Sequence, residues 1–188
     1  MSLNVSETGI EGLKIIQTKI FRDERGYFFE VFSSQRFSDA GINDRFFQDN
    51  ISRSGKGVVR GLHYQLEPKA QSKLLTVISG KIIDAAVDLR TGSPTFGKHF
   101  TVELCSNDGK MIYIPKGFAH GFLSLTDDTV IMYKCGEQYS PAYERGIRFN
   151  DPELGIDWKY PAGKMTVSER DRQFPLFRDA EMNFKFGK

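Results

Sequence analysis

Residues 109–120 read GKMIYIPKGFAH, and this stretch decides the architecture. A strand-like run, KMIYI, is cut by Pro115 and Gly117, the two residue types that close a tight turn, and a second apolar segment then leads to His120. The turn predicts two adjacent strands, with His120 aimed into whatever the strands enclose. Working outward, further short runs rich in β-branched and aromatic residues occupy 74–78, 81–88, 99–104 and 129–134. Turn signals separate them at 23–26, 54–57, 91–94, 107–109 and 126–128. Many short strands with regular turns indicate a sandwich or barrel rather than a parallel α/β sheet. There is no glycine-rich dinucleotide fingerprint and no P-loop. Helical signals are few: one short helix over 34–40 after the Ser33–Ser34 cap region, and short turns in the Pro-, Gly- and Asp-rich part from Ser140 onward. Ser168 reads as the N-cap of one such turn, with Asp171 three residues on.

The 188 residues suit one domain, 1–188, able to bury a substantial core. Hydrophobic residues at 39% and charged residues at 27% fit a soluble globular chain. With 26 basic and 24 acidic side chains, net charge offers no case for nucleic acid or an acidic membrane as partner. No apolar run approaches the roughly 20 residues that span a bilayer. The stretch MSLNVSETGIEG is polar and unlike a secretory leader, so the expected location is the cytoplasm. Cys105 and Cys135 stand alone without CxxC spacing and read as buried thiols rather than a disulfide. Among the 16 phenylalanines, Phe28, Phe29, Phe32, Phe46 and Phe47 suit a pocket or an interface, with core packing the favoured role for most.

Three histidines carry the search for chemistry. His63 lies in VVRGLHYQ and His120 in IPKGFAHGF, whereas His99, in FGKHFTV, has no constellation around it and reads as a surface or edge residue. Strand alternation puts Lys73 on the same face as Leu75 and Val77, and Tyr133 on the same face as Ile131. If the apolar members face the interior, so do Lys73 and Tyr133. Taken singly these suit a snorkelling lysine and a hydrogen-bonded core tyrosine. Two histidines, a lysine and a tyrosine facing one interior together favour a site.

The 109–120 stretch resembles the second motif of the cupins, which implies an all-β, jelly-roll β-barrel with short peripheral helices. Metal-binding cupins supply an H-x-H pair and a Glu from their first motif. Here the corresponding residues are His63, Tyr64 and Gln65, so no metal is expected. Almost the whole chain is similar to one family, the dTDP-4-dehydrorhamnose 3,5-epimerases. The likeness runs through FRDERGYFFEVF, FQDN, VVRGLHYQ, SKLLTVISGKIIDAAVDLR, SPTFG, IPKGFAHGF, YKCGEQYSP and SERD.

The resemblance implies a dTDP-linked 4-keto-6-deoxyhexose as substrate, proton exchange at C3 and C5 through enolates, and no cofactor. It implies His63 as the base, Asp171 as its orienting partner and Tyr133 as the acid on the opposite face. Lys73 and His120 would stabilise the enolate oxygen. Substrate contacts are implied for Phe21, Arg25, Phe28, Glu30, Gln48, Asp49, Asn50, Arg60, Tyr139, Glu144 and Arg170. Among these, Arg60 would hold the diphosphate and Tyr139 would stack on the base, and Arg170 stands where the family often has Lys. Homodimers in which N-terminal strands cross to the partner are expected, with Arg25 completing the other subunit's site. The alternatives are an enzyme epimerising C3 or C5 alone, a 3,4-ketoisomerase, a non-catalytic sugar-nucleotide-binding cupin and a metal-dependent oxygenase. The epimerase set of His63, Lys73, Tyr133 and Asp171 weighs against the ketoisomerase and the binding cupin, and the missing second histidine of the first motif weighs against the oxygenase.

Overall fold

Two largely antiparallel sheets, packed face to face, form the body of the fold. The computed structural model describes residues 3–187; Met1, Ser2 and Lys188, at the ends of the expected domain, lie outside them. The strands are β1 (Leu3–Glu7), β2 (Lys14–Thr18), β3 (Phe21–Asp23), β4 (Gly26–Phe28), β5 (Gln48–Ser54), β6 (Val58–Gln65) and β7 (Lys73–Ser79). They continue as β8 (Lys81–Asp88), β9 (His99–Cys105), β10 (Lys110–Ile114), β11 (Phe118–Ser124), β12 (Thr129–Cys135), β13 (Glu144–Gly146) and β14 (Thr166–Val167). Two short helices, α1 (Ser34–Asp39) and α2 (Glu169–Arg172), lie outside the sheets. One sheet has the order β1-β2-β10-β7-β12-β5 and the other β13-β6-β11-β8-β9, with β14 added alongside β6. This is the expected all-β jelly roll with peripheral helices. β3 and β4 form a separate hairpin.

Alternation along the strands sorts side chains into three apolar layers. Between the sheets, Leu75, Val77, Ile112 and Ile131 meet Ile82, Ala86, Leu104, Phe118 and Phe122. Behind the second sheet, the segment from Ile147 to Phe184 wraps the outer face of β6, β8 and β11, with Trp158 and Phe177 on Leu62, Val87 and Leu123. Behind the first sheet, Phe37 of α1 and Ile42 cover Leu74 and Met111. Phe32 and Phe46 join this third layer, their rings meeting edge-to-face at 5.3 Å. Core packing therefore holds for Phe32 and Phe46, but Phe28 and Phe47 are 59% and 58% exposed. Both cysteines are free thiols, and His99 starts the edge strand β9.

Candidate active site

A fault in the β6 ladder determines what faces the interior. Against β11, His63 pairs with His120, but Arg60 pairs with Phe122 and Val59 with Leu123. Gly61 and Leu62 thus oppose Gly121 alone, which is a β-bulge. In an unbroken strand Arg60 and His63, three residues apart, would point to opposite faces. The extra residue turns both toward the interior while Val59, Leu62 and Tyr64 stay in the outer layer. Only glycine fits at the bulge: Gly61 has φ +122°, and a Cβ there would lie 2.5 Å from Gly121 Cα and 2.7 Å from His120 O.

The bulge also presents the Gly61 amide to a carboxylate. Asp171, buried on α2, accepts from Gly61 N–H at 3.1 Å through Oδ2, and its Oδ1 lies 2.9 Å from His63 Nε2. The helix starts where the sequence places it, with Ser168 Oγ accepting the Asp171 amide at 3.1 Å. Burial alone would raise the Asp171 pKa. The hydrogen bonds and charge of His63, the Gly61 amide and Ser168 outweigh it and hold the carboxyl at about 2. The carboxylate is therefore charged at neutral pH and fixes the His63 tautomer: Nε2–H is donated to Asp171, leaving Nδ1 with the free lone pair.

His120, directly across the ladder from His63, has its own carboxylate. Its Nε2 lies 2.8 Å from Asp84 Oδ2, and both residues are buried. The other Asp84 oxygen has no hydrogen-bond partner among the described residues. Sequence reasoning passed over Asp84, although a lone acid in the apolar strand KIIDAAVD, in step with inward Ile82 and Ala86, was a usable signal.

The facing sheet supplies the remaining pair. Leu75, Val77 and Ile131 lie in the inter-sheet core, so Lys73 and Tyr133 face inward as alternation requires. Burial pushes the Lys73 ammonium below the ordinary lysine range, partly offset by Cys135, Asp84 and Glu144. Burial, reinforced by Cys135, raises the Tyr133 phenol above its ordinary value, so it remains protonated. Cys135, opposite Lys73 in the ladder, is buried as expected, but it lines the cavity rather than filling core.

These side chains share one cavity of about 920 Å³ whose lining includes His63, Lys73, His120, Tyr133, Asp171 and Arg60. A polar chain crosses its rim. Glu144 Oε2 accepts from Tyr139 OH at 2.7 Å and from Arg170 Nη1 at 2.9 Å. Gln48 Oε1 accepts from the Tyr139 amide at 2.8 Å, and Gln48 Nε2 donates to Asn50 Oδ1 at 2.9 Å. Arg60 is steered by Ser54 Oγ at 3.0 Å and Arg53 O at 3.1 Å. The site thus pairs an oriented imidazole and a neutral phenol on opposite sheets with cations suited to a developing oxyanion and to phosphate.

The family model described as dTDP-4-dehydrorhamnose 3,5-epimerase matches residues 7–179. A dTDP-4-dehydrorhamnose 3,5-epimerase from Methanothermobacter thermautotrophicus is 45% identical over 92% of this chain and 94% of its own. The chain belongs to the dTDP-4-dehydrorhamnose 3,5-epimerase family. A crystal structure of such an epimerase from Elizabethkingia anophelis superposes with a TM-score of 0.90 at 43% identity, covering 95% of this chain and 98% of that one. A dTDP-6-deoxy-D-glucose-3,5-epimerase from Legionella pneumophila, in complex with dTDP-4-keto-L-rhamnose, gives 0.89 at 46% identity over 93% of each chain.

Not every position matched to this epimerase family reaches the cavity of its own chain. Phe21, Arg25 and Phe28 lie on the exposed β3–β4 hairpin, where Phe21 and Phe28 pair at 6.5 Å and Arg25 is bonded to Asp23. Glu30 bonds Arg36 at 2.9 Å, beyond the lining. Asp49 is also outside it: on β5 the inward residues are Gln48, Asn50 and Ser52, so Asp49 points outward and pairs with Lys134 at 2.8 Å. Conversely, Phe174 was not anticipated. Its ring meets His63 edge-on, with centroids 5.5 Å apart, and lies 5.9 Å from the Arg170 guanidinium. Nothing in the local pattern RQFPLF distinguishes it from a core filler.

Proposed function

We propose that this protein is a dTDP-4-dehydrorhamnose 3,5-epimerase. It converts dTDP-4-dehydro-6-deoxy-D-glucose into dTDP-4-dehydro-L-rhamnose for dTDP-L-rhamnose biosynthesis. The observation that carries this reading is the placement of the His63–Asp171 pair on one sheet and Tyr133 on the other, in one cavity. The C4 ketone acidifies the hydrogens at C3 and C5. His63 Nδ1 takes a proton, and the resulting imidazolium is stabilised by the Asp171 carboxylate. The electron pair moves onto the C4 oxygen, where Lys73 and His120 meet the charge. Tyr133 returns a proton from the opposite face and inverts the centre. Arg60 and Arg170 hold the diphosphate, and Tyr139 takes the thymine. Because the ketone delocalises the carbanion, side chains suffice for every step.

The same reading includes a single domain over 1–188, a cytoplasmic location and a homodimer. The exposed Phe21, Tyr27 and Phe28 of the β3–β4 hairpin support the dimer, since an apolar hairpin at the surface suits insertion into a partner. Arg25 then serves the partner's site. Proton NMR of the enzyme with dTDP-4-keto-6-deoxyglucose in deuterium oxide tests the activity, with product trapped by a downstream reductase. Deuterium at both C3 and C5 is the expected outcome. Label at one carbon restricts the enzyme to a single epimerisation, and no label at either carbon overturns the reading.

A further inference from the structure

A second depression, of about 300 Å³ and open to solvent, lies beside α2, the helix that carries Asp171. Its lining includes Arg148, Phe149, Met165, Val167 and Arg172, so the only charged side chains in it are two guanidiniums. Among the described residues, neither pairs with a carboxylate. Each instead uses Nε on a backbone carbonyl: Arg148 on Phe174 O at 3.4 Å and Arg172 on Val167 O at 3.3 Å. Those carbonyls lie on either side of α2, one just before it and one just after. The Nη groups of both arginines make no hydrogen bond to any described residue. Arg148 is partly buried and Arg172 exposed, so the depression opens to solvent, and forked Nη donors are the geometry that receives an oxyanion arriving from it.

We propose that Arg148 and Arg172 form a second anion site, separate from the main cavity, for a small oxyanion of the phosphate class. Free phosphate and the terminal group of a phosphomonoester share this chemistry. Phe149, Met165 and Val167 leave room for a small group and no further charge. Bridging the two guanidiniums, the anion ties together the segments on both sides of α2. Val167 lines both cavities, so the bound anion sits one side chain away from the site that holds Asp171.

Isothermal titration of inorganic phosphate into the full-length protein at low ionic strength tests this, because screening weakens such contacts. A saturable event is expected. R148Q and R172Q should each weaken it by about tenfold or more, as expected for loss of a charge-assisted pair. R60Q, in the main cavity, should leave it within about twofold. Thermal melts of both arginine variants show whether each is folded, and either alone suffices for the comparison. Absence of saturation below about 10 mM phosphate overturns the proposal. So does an affinity that R60Q abolishes and that R148Q and R172Q leave unchanged. A phosphomonoester probe such as glycerol phosphate then separates the two ligand sources: tighter binding than phosphate, lost in R148Q, assigns the site to monoesters, and equal or weaker binding assigns it to free phosphate.

Discussion

Replacing Asp171 by Asn changes one atom and should disable the base. The carboxylate offers two acceptors, one to His63 Nε2–H and one to the Gly61 amide. Asparagine has only one. The Gly61 amide can use nothing but an acceptor, so the carbonyl oxygen turns to it and the NH₂ faces His63. The imidazole must then present a lone pair at Nε2, which moves its proton to Nδ1, the atom that has to accept the substrate proton. The strength of the present arrangement follows from the carboxyl pKa, held at about 2 against 3.8. At about 1.4 kcal/mol per unit, the environment favours the charged form by roughly 2 kcal/mol. Loss of a working general base costs about 10²–10⁴-fold, and D171N should fall in that range for deuterium incorporation at both carbons, followed by proton NMR. The same group has a stability signature. A depressed folded-state pKa contributes stability that is fully present above about pH 4 and disappears as pH falls through about 2. D171N should therefore show a flatter dependence of denaturation midpoint on pH in that window. A loss under about tenfold at both carbons would refute the tautomer argument.

Tyr133→Phe removes only the phenolic hydroxyl, so it should leave the denaturation midpoint nearly unchanged. It should reduce proton return by about 10²–10⁴-fold, read separately at each of the two carbons by site-resolved NMR. Arg60→Ala should weaken dTDP binding by about tenfold or more in a calorimetric titration, with a smaller effect on exchange at saturating substrate. Gly61→Ala places a methyl group against the backbone of Gly121 and His120 and should cost about 1–3 kcal/mol or more, read as a lower urea midpoint. Phe174→Ala frees one side of the His63 ring and should lower exchange at C3 and C5 together, with Phe174→Leu recovering part of the loss.

The strands were legible because alternation and turn chemistry are local. The expected 81–88 and 110–114 coincide with β8 and β10, the expected 74–78 lies within β7, and Ser168 caps α2 as read. Lys73 and Tyr133 were placed inward from the apolar neighbours they alternate with, and the structure puts both in the cavity. What stayed hidden depends on distant partners. The bulge at Gly61 is set by how β6 meets β11, so the shared orientation of Arg60 and His63 cannot be counted off one strand. Asp84 reads as an oddity until His120 lies beside it, and Phe174 reaches His63 across 111 positions of chain through a loop with no period to follow. Asp49 shows the converse: family likeness names the position, while the pleat of β5 turns the side chain away from its own cavity.

The two walls of the cavity belong to different sheets, and an apolar layer between those sheets sets most of their spacing. His63 and His120 ride on one, Lys73 and Tyr133 on the other. The gap a proton must cross is consequently an inter-layer dimension, set by shims such as Leu75, Val77 and Leu104, which lie outside the cavity lining. Trimming one of these, for example Val77 to Ala, leaves a void between the sheets and loosens the vise without altering its jaws. Such an enzyme should lose turnover on warming well before it loses its strands, so that activity becomes a finer gauge of core packing than any unfolding curve.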